Sequence, residues 1–118
     1  MSEQHYTGSC QCGAVTFEAD LDLDKTITCN CSRCQRLGSV LTFVARDKLD
    51  VKSGLDQLTE YTFNKHAIKH QFCRVCGIQS FGWAVRPDGQ LGAAVNVNCL
   101  DGVDPRALKS KPVDGKSF

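Results

Sequence analysis

Seven of the eight cysteines fall into three tight clusters: Cys10-Gln-Cys12, Cys29-Asn-Cys31-Ser-Arg-Cys34 and Cys73-Arg-Val-Cys76. Two clusters offer a pair of sulfurs and one offers three. Four sulfurs suit a closed tetrahedral zinc site, whereas three leave a coordination position for water or substrate, the arrangement of a catalytic zinc. The expected division is therefore a structural zinc on Cys10, Cys12, Cys73 and Cys76 and a second, open zinc on Cys29, Cys31 and Cys34, two Zn²⁺ per chain. A zinc of the second kind acts as a Lewis acid toward a bound thiolate, hydroxide or carbonyl oxygen.

The flanking residues support the pairing. Cys73-x-x-Cys76 is followed by Gly77 and Cys10-x-Cys12 by Gly13, as in zinc knuckles, where glycine permits the tight turn that aims backbone N–H groups at sulfur. Joining the two knuckles around one ion would pin distant strands and support a small core. Three alternatives stand beside this reading. Cys99 could return as a fourth ligand and make the second site structural too, and four sulfurs could instead hold an iron–sulfur centre. A disulfide framework would need an oxidising compartment. His66 and His70 read as polar strand residues, with His70 on the face of Ile68 and Phe72. His70 is the one candidate acid or base near the clusters. Arg33 and Arg36 flank the three-sulfur cluster and read as solvated surface charges rather than as carboxylate ligands.

These side chains must be positioned by a chain of 118 residues, 42% of them hydrophobic, which points to one domain with a modest core. The amino-terminal stretch has neither the basic nor the apolar region of a secretory signal, and no apolar run is long enough to span a membrane. The expectation is a cytoplasmic protein whose cysteines are reduced or metal-bound. The formal net charge is +1, and seven thiolates with two zinc ions would bring it to about −2. Neither value has the basic character of a nucleic-acid-binding surface, so no nucleic acid is expected as a partner.

Short alternating or β-branched stretches at 14–19, 40–45, 49–51, 58–63, 67–72, 78–85 and 91–97 are separated by Gly, Pro, Asn and Asp, which predicts a mainly β, antiparallel domain. One helical turn is expected at 32–37, where it would bring Cys34 back toward Cys29 and Cys31. Another is expected at 105–109, after the Asp104-Pro105 start signal. The core is expected over about 6–108, with a loose polar tail at 110–118.

The segments Gly8-Ser-Cys-Gln-Cys-Gly13, Cys29-Asn-Cys-Ser-x-Cys34 with Gly38, Phe72-Cys-x-x-Cys-Gly77 and Asn96-Val-x-Cys-Leu-Asp-Gly102 resemble the glutathione-dependent formaldehyde-activating enzyme family, which includes the centromere protein V-type domain. The resemblance runs from about Tyr6 to about Leu108. It implies the β-tent fold, the same structural and catalytic zinc assignment, and carbon–sulfur lyase chemistry on S-hydroxymethylglutathione, a glutathione–formaldehyde adduct. The longer enzymes of that family carry segments this chain lacks. A different class of function is a binding module with two structural zincs and no catalysis, which a ligating Cys99 would favour. No oligomeric state is predicted.

Overall fold

The computed structural model describes residues 3–117. Ten strands form: β1 (Gln4–Ser9), β2 (Thr16–Leu21), β3 (Ile27–Cys29), β4 (Val40–Ala45), β5 (Leu49–Ser53), β6 (Leu58–Tyr61), β7 (Lys69–Cys73), β8 (Phe81–Val85), β9 (Leu91–Asn96) and β10 (Lys111–Val113), with one α-helix, α1 (Ser32–Leu37). A three-stranded sheet has the order β1-β2-β5 and a seven-stranded sheet the order β10-β3-β4-β9-β8-β7-β6.

The alternation in β2 shows why the sheets pack together. Phe17, Ala19 and Leu21 are buried while Thr16, Glu18 and Asp20 stay partly exposed, the two-residue period of a strand with one dry face. That face meets Phe81, Ala93 and Val95 of the larger sheet in one core. Phe17 and Phe81 pack edge-to-face with centroids 5.9 Å apart, a favoured aromatic geometry. The turn between β8 and β9 is closed by the Gly89 amide on the Arg86 carbonyl at 2.9 Å, and its sides are pinned where Arg46 lies 3.9 Å from the centroid of the Trp83 ring. Among the described residues no helix is long and apolar enough to cross a membrane.

The mainly β expectation holds, and the helix at 32–37 forms as read from the residues. Its start is capped by the Cys31 sulfur, which accepts the Cys34 amide, and its end by Gly38 in the left-handed region, a common helix stop. The expected turn at 105–109 is shorter, a 3₁₀ turn over Pro105–Ala107 with Asp104 accepting the Arg106 amide.

Two expectations need correction. The sheet is not wholly antiparallel, because β10 pairs parallel with β3. The tail is therefore not loose. Residues Lys111–Val113 add an edge strand, where Pro112 can sit without a backbone donor, and Gly115–Ser117 forms a further turn. Polar composition concealed this segment because what holds it is a set of specific hydrogen bonds to Asn30, not an apolar face.

Candidate metal centre

Strand pairing carries two cysteine clusters to one end of the large sheet, and the packing of the small sheet brings the third to the same end. Cys29 ends β3, Cys73 ends β7, and the Cys10–Cys12 loop joins β1 to β2. In the first cluster Cys10, Cys12, Cys73 and Cys76 have their sulfurs within 4.8 Å of one another. The Cys10–Cys12 and Cys12–Cys73 separations are 3.6 and 3.7 Å. A tetrahedral zinc with Zn–S bonds of about 2.3 Å requires edges of about 3.8 Å, so the donor set fits that ion. Gly13 and Gly77 close the two knuckles at φ +83° and +81°, a region glycine enters without steric cost. Backbone amides point at the sulfurs as knuckles require: Val15 N–H donates to Cys10 at 3.3 Å and Val75 N–H to Cys73 at 3.4 Å.

These donors shape the acidity of the thiols. Burial works against the Cys76 thiolate, yet the backbone amides of Ile78 and Cys12 and the neighbouring thiols outweigh it and bring Cys76 down to about 6. Cys73 is likewise lowered, first by the Cys76 backbone amide. Cys10 and Cys73 are buried, Cys76 is partly so and Cys12 faces solvent.

The second cluster is Cys29, Cys31 and Cys34, also within 4.8 Å of one another and all partly exposed. Among the described residues no fourth Cys, His, Asp or Glu joins them. The Cys31 amide donates to Cys29 at 3.5 Å and the Cys34 amide to Cys31 at 3.3 Å. Burial acts against the Cys31 thiolate, but the Cys34 backbone and side-chain donors lower this thiol overall. Cys34 is pushed up to about 12 by burial and by the neighbouring Cys31 and Cys29 sulfurs. The buried Ser39 hydroxyl has no nitrogen or oxygen partner and opposes that rise at Cys34. Three convergent sulfurs with amide donors make a soft donor set that zinc fits, and one that the described residues leave one short of four.

Cys99 does not close this second cluster. It stands beside the first, its thiol donating toward the Gln79 carbonyl at 3.8 Å, and burial raises its pKa, with Cys10 and Cys76 nearby. His66 is also elsewhere, on an exposed loop against the Thr62 hydroxyl at 2.8 Å.

His70 is buried on β7, stacked on Phe63 at 5.2 Å, with Gln79 Nε2 donating to its Nδ1 at 3.4 Å. Burial lowers its pKa first and the nearby Arg33 cation second, whereas exposed His5 is raised by Asp20 and Glu18. Proton-resolved NMR should therefore show His70 titrating below the ordinary 6.5 and His5 above it. Because the unfolded chain takes up this proton first, the His70 contribution to stability is complete above pH 6.5 and falls as the pH drops below it. A His70 midpoint above 6.5 would contradict the structure.

Two features escaped the sequence. Arg36 is exposed and donates to the Ser32 carbonyl of its own helix at 2.9 Å, as a surface arginine should. Arg33 is not a free surface charge: its Nε and Nη2 donate to Gln79 Oε1 at 3.0 and 2.7 Å, and its guanidinium lies 4.8 Å from the Tyr61 ring centroid. The second feature is the tail. Asn30 donates from its amide to the Val113 carbonyl at 3.2 Å and from Nδ2 to Asp114 at 2.9 Å, and its Oδ1 accepts the Lys116 amide at 3.1 Å. This sets Gly115 so close to Cys29 that a Cβ there would overlap the sulfur. The Asp114-Gly115 turn dipeptide was the one available signal.

Two open clefts flank Leu37 of α1. One, of about 670 Å³, is lined by Thr28, Val40 and Leu108 among others. The other, of about 430 Å³, lies between Cys10, Gln79, Asn96 and Cys99.

The profile of the glutathione-dependent formaldehyde-activating enzyme family matches residues 5–113. The crystal structure of a Rhodobacter sphaeroides protein is similar at 37% sequence identity and a TM-score of 0.80, over 90% of this chain and 97% of that one. The chain belongs to the glutathione-dependent formaldehyde-activating enzyme family.

Proposed function

We propose that the chain is a zinc-dependent carbon–sulfur lyase that makes or breaks the adduct of a small thiol with an aldehyde, S-hydroxymethylglutathione being the adduct its family name suggests. The observation that carries this reading is the contrast between the two clusters. The same short chain builds one set of four sulfurs and one of three, and the set of three sits at an accessible helix start with no further protein donor among the described residues. In the forward direction the sulfur of the thiol bonds to the aldehyde carbon, the carbonyl π pair moves to oxygen, and the thiol proton ends on that oxygen. Zinc held by Cys29, Cys31 and Cys34 would supply Lewis acidity toward the oxygen or the thiolate.

The remaining roles belong to the chain. Cys31 and Cys34 are oriented by the first turn of α1, and the Cys34 amide, donating to the Cys31 sulfur at 3.3 Å, favours the charged form of that one thiol. Arg33, between them in the chain, adds its own backbone amide to the donors that lower Cys31. Cys10, Cys12, Cys73 and Cys76 would hold a second zinc with a structural task. All eight cysteines are unpaired in the fold, which suits a reducing, cytoplasmic setting.

The test is the rate of adduct formation from formaldehyde and glutathione, followed by NMR exchange, with metal-loaded protein and with protein whose weaker metal has been removed by a mild chelator. Loss of the accelerated exchange on chelation and its return on adding zinc are expected. Equal acceleration by protein stripped of the weaker metal, or none by fully loaded protein, would rule the proposal out.

A further inference from the structure

Given two metal-filled clusters as proposed above, we infer that Gln79 is a joint through which the four-sulfur cluster positions the three-sulfur one, so that the sites fill in order, closed site first. The residue sits three positions beyond Cys76, at the exit of the second knuckle. That knuckle is tied to itself by the Gly77 amide on the Cys73 carbonyl at 2.8 Å and the Cys73 amide on the Ile78 carbonyl at 3.0 Å. The backbone of Gln79 is then held by Asn96, whose Nδ2 donates to its carbonyl at 2.9 Å, while the Asn96 amide donates to Ser80 at 2.9 Å.

Both ends of the Gln79 amide are occupied. Nε2 donates to His70 at 3.4 Å, which orients the group, and Oε1 takes the Arg33 fork. Arg33 lies between Cys31 and Cys34. Its guanidinium is flanked by Tyr61 at 4.8 Å and Phe72 at 5.9 Å from the ring centroids, a π environment that suits a planar cation.

The helix makes this contact matter. α1 has six residues and none is buried. A helix so short is not stable by itself, and it has no apolar stripe to fix its rotation. Each residue turns the helix by about 100°, so a modest rotation swings Cys34 away from Cys29 and Cys31. Asn98 Nδ2 ties the far end of the helix, donating to the carbonyl of its cap Gly38 at 3.1 Å, and the Arg33–Gln79 fork is the long-range tie made from between the two cysteines, where it sets that rotation. Dependence runs one way. The four-sulfur cluster is built from the β1–β2 and β7–β8 connections and does not require α1, while α1 is anchored to a residue that the second knuckle places.

The experiment is a stepwise cobalt(II) titration of the reduced, metal-free full chain, read by sulfur-to-metal absorption and d–d bands, with zinc competition giving the affinity of each step. Wild-type protein should take two equivalents in two resolved steps. Cys34→Ser should keep the first step and lose the second, which identifies the order. Gln79→Ala should leave the first step unchanged and weaken the second by about 10- to 100-fold, the usual effect of removing a residue that orients a metal ligand. Gln79→Glu, which keeps an acceptor oxygen for Arg33, should recover most of that loss. Arg33→Met changes only a partly exposed helix position, so it tests the same fork without touching the knuckle. It should match Gln79→Ala, and the two should not add.

A second step unchanged in both Gln79→Ala and Arg33→Met overturns the joint. Equal weakening of both steps in these variants overturns it as well, since that is general destabilisation. Cys34→Ser losing the first step instead of the second overturns the order. Wild-type protein that takes up no cobalt overturns the metal reading itself, a result distinct from all of these.

Discussion

Replacing Cys34 with serine is expected to lower adduct turnover by more than about 100-fold while leaving the domain folded. Removing a residue that merely orients a ligand already costs about 10- to 100-fold in metal affinity or activity, and Cys34 would be a ligand itself. A serine hydroxyl is a poor substitute for a soft thiolate. The Cys34 thiol is also pushed up to about 12 by burial and the neighbouring sulfurs, so ion binding must displace its proton at neutral pH. Uptake at this site should therefore release acid and weaken as the pH falls. The fold should survive because α1 buries no side chain and the core lies between the sheets. Metal content should drop from two ions per chain to one, with the circular dichroism spectrum and thermal midpoint nearly unchanged. Full activity in a variant that holds one ion would remove the three-sulfur site from the mechanism.

Cys73→Ser should have the opposite consequence, leaving little folded protein at room temperature. Cys73 is fully buried at the end of β7, and its sulfur lies 3.7 Å from that of Cys12, 61 residues away in the chain. Small domains have net stabilities of about 5–15 kcal/mol, and structural zinc in a small domain contributes an apparent 10–16 kcal/mol of binding energy at neutral pH. Loss of one ligand forfeits a large part of that and leaves a polar hydroxyl among buried sulfurs. Circular dichroism and urea titration check the outcome, and a strong chelator should unfold wild-type protein in the same way. A Cys73→Ser protein with a wild-type urea midpoint would show that the four-sulfur cluster does not hold the fold together.

How much of this was legible beforehand follows from how local each signal is. The cysteine clusters are written in adjacent residues with their glycines, and the structure brings together the same two sets. The start and stop of α1 are equally local, as is the alternation of β2. Signals that depend on distant partners were not legible. Arg33 and Gln79 are 46 residues apart, and no neighbouring residue marks an arginine whose acceptor is an uncharged amide. β1 and β3 passed unnoticed because β1 is largely polar and β3 has only three residues. Cys99 read as a possible fourth ligand because spacing says nothing of direction; the β9 register delivers it to the first cluster instead.

The seating of Gly115 against Cys29 has a practical side. Anything fused after Phe118 would be tethered a few residues from the three-sulfur site, at an effective concentration in the millimolar range for a short flexible link. A histidine affinity tag placed there would offer imidazoles, good zinc ligands, to a cluster in which the described residues supply three sulfurs. Such a protein could carry its full complement of metal, keep its fold and still be inhibited by its own handle. Purification from the other end of the chain avoids this, since β1 begins at Gln4 and runs toward the closed cluster.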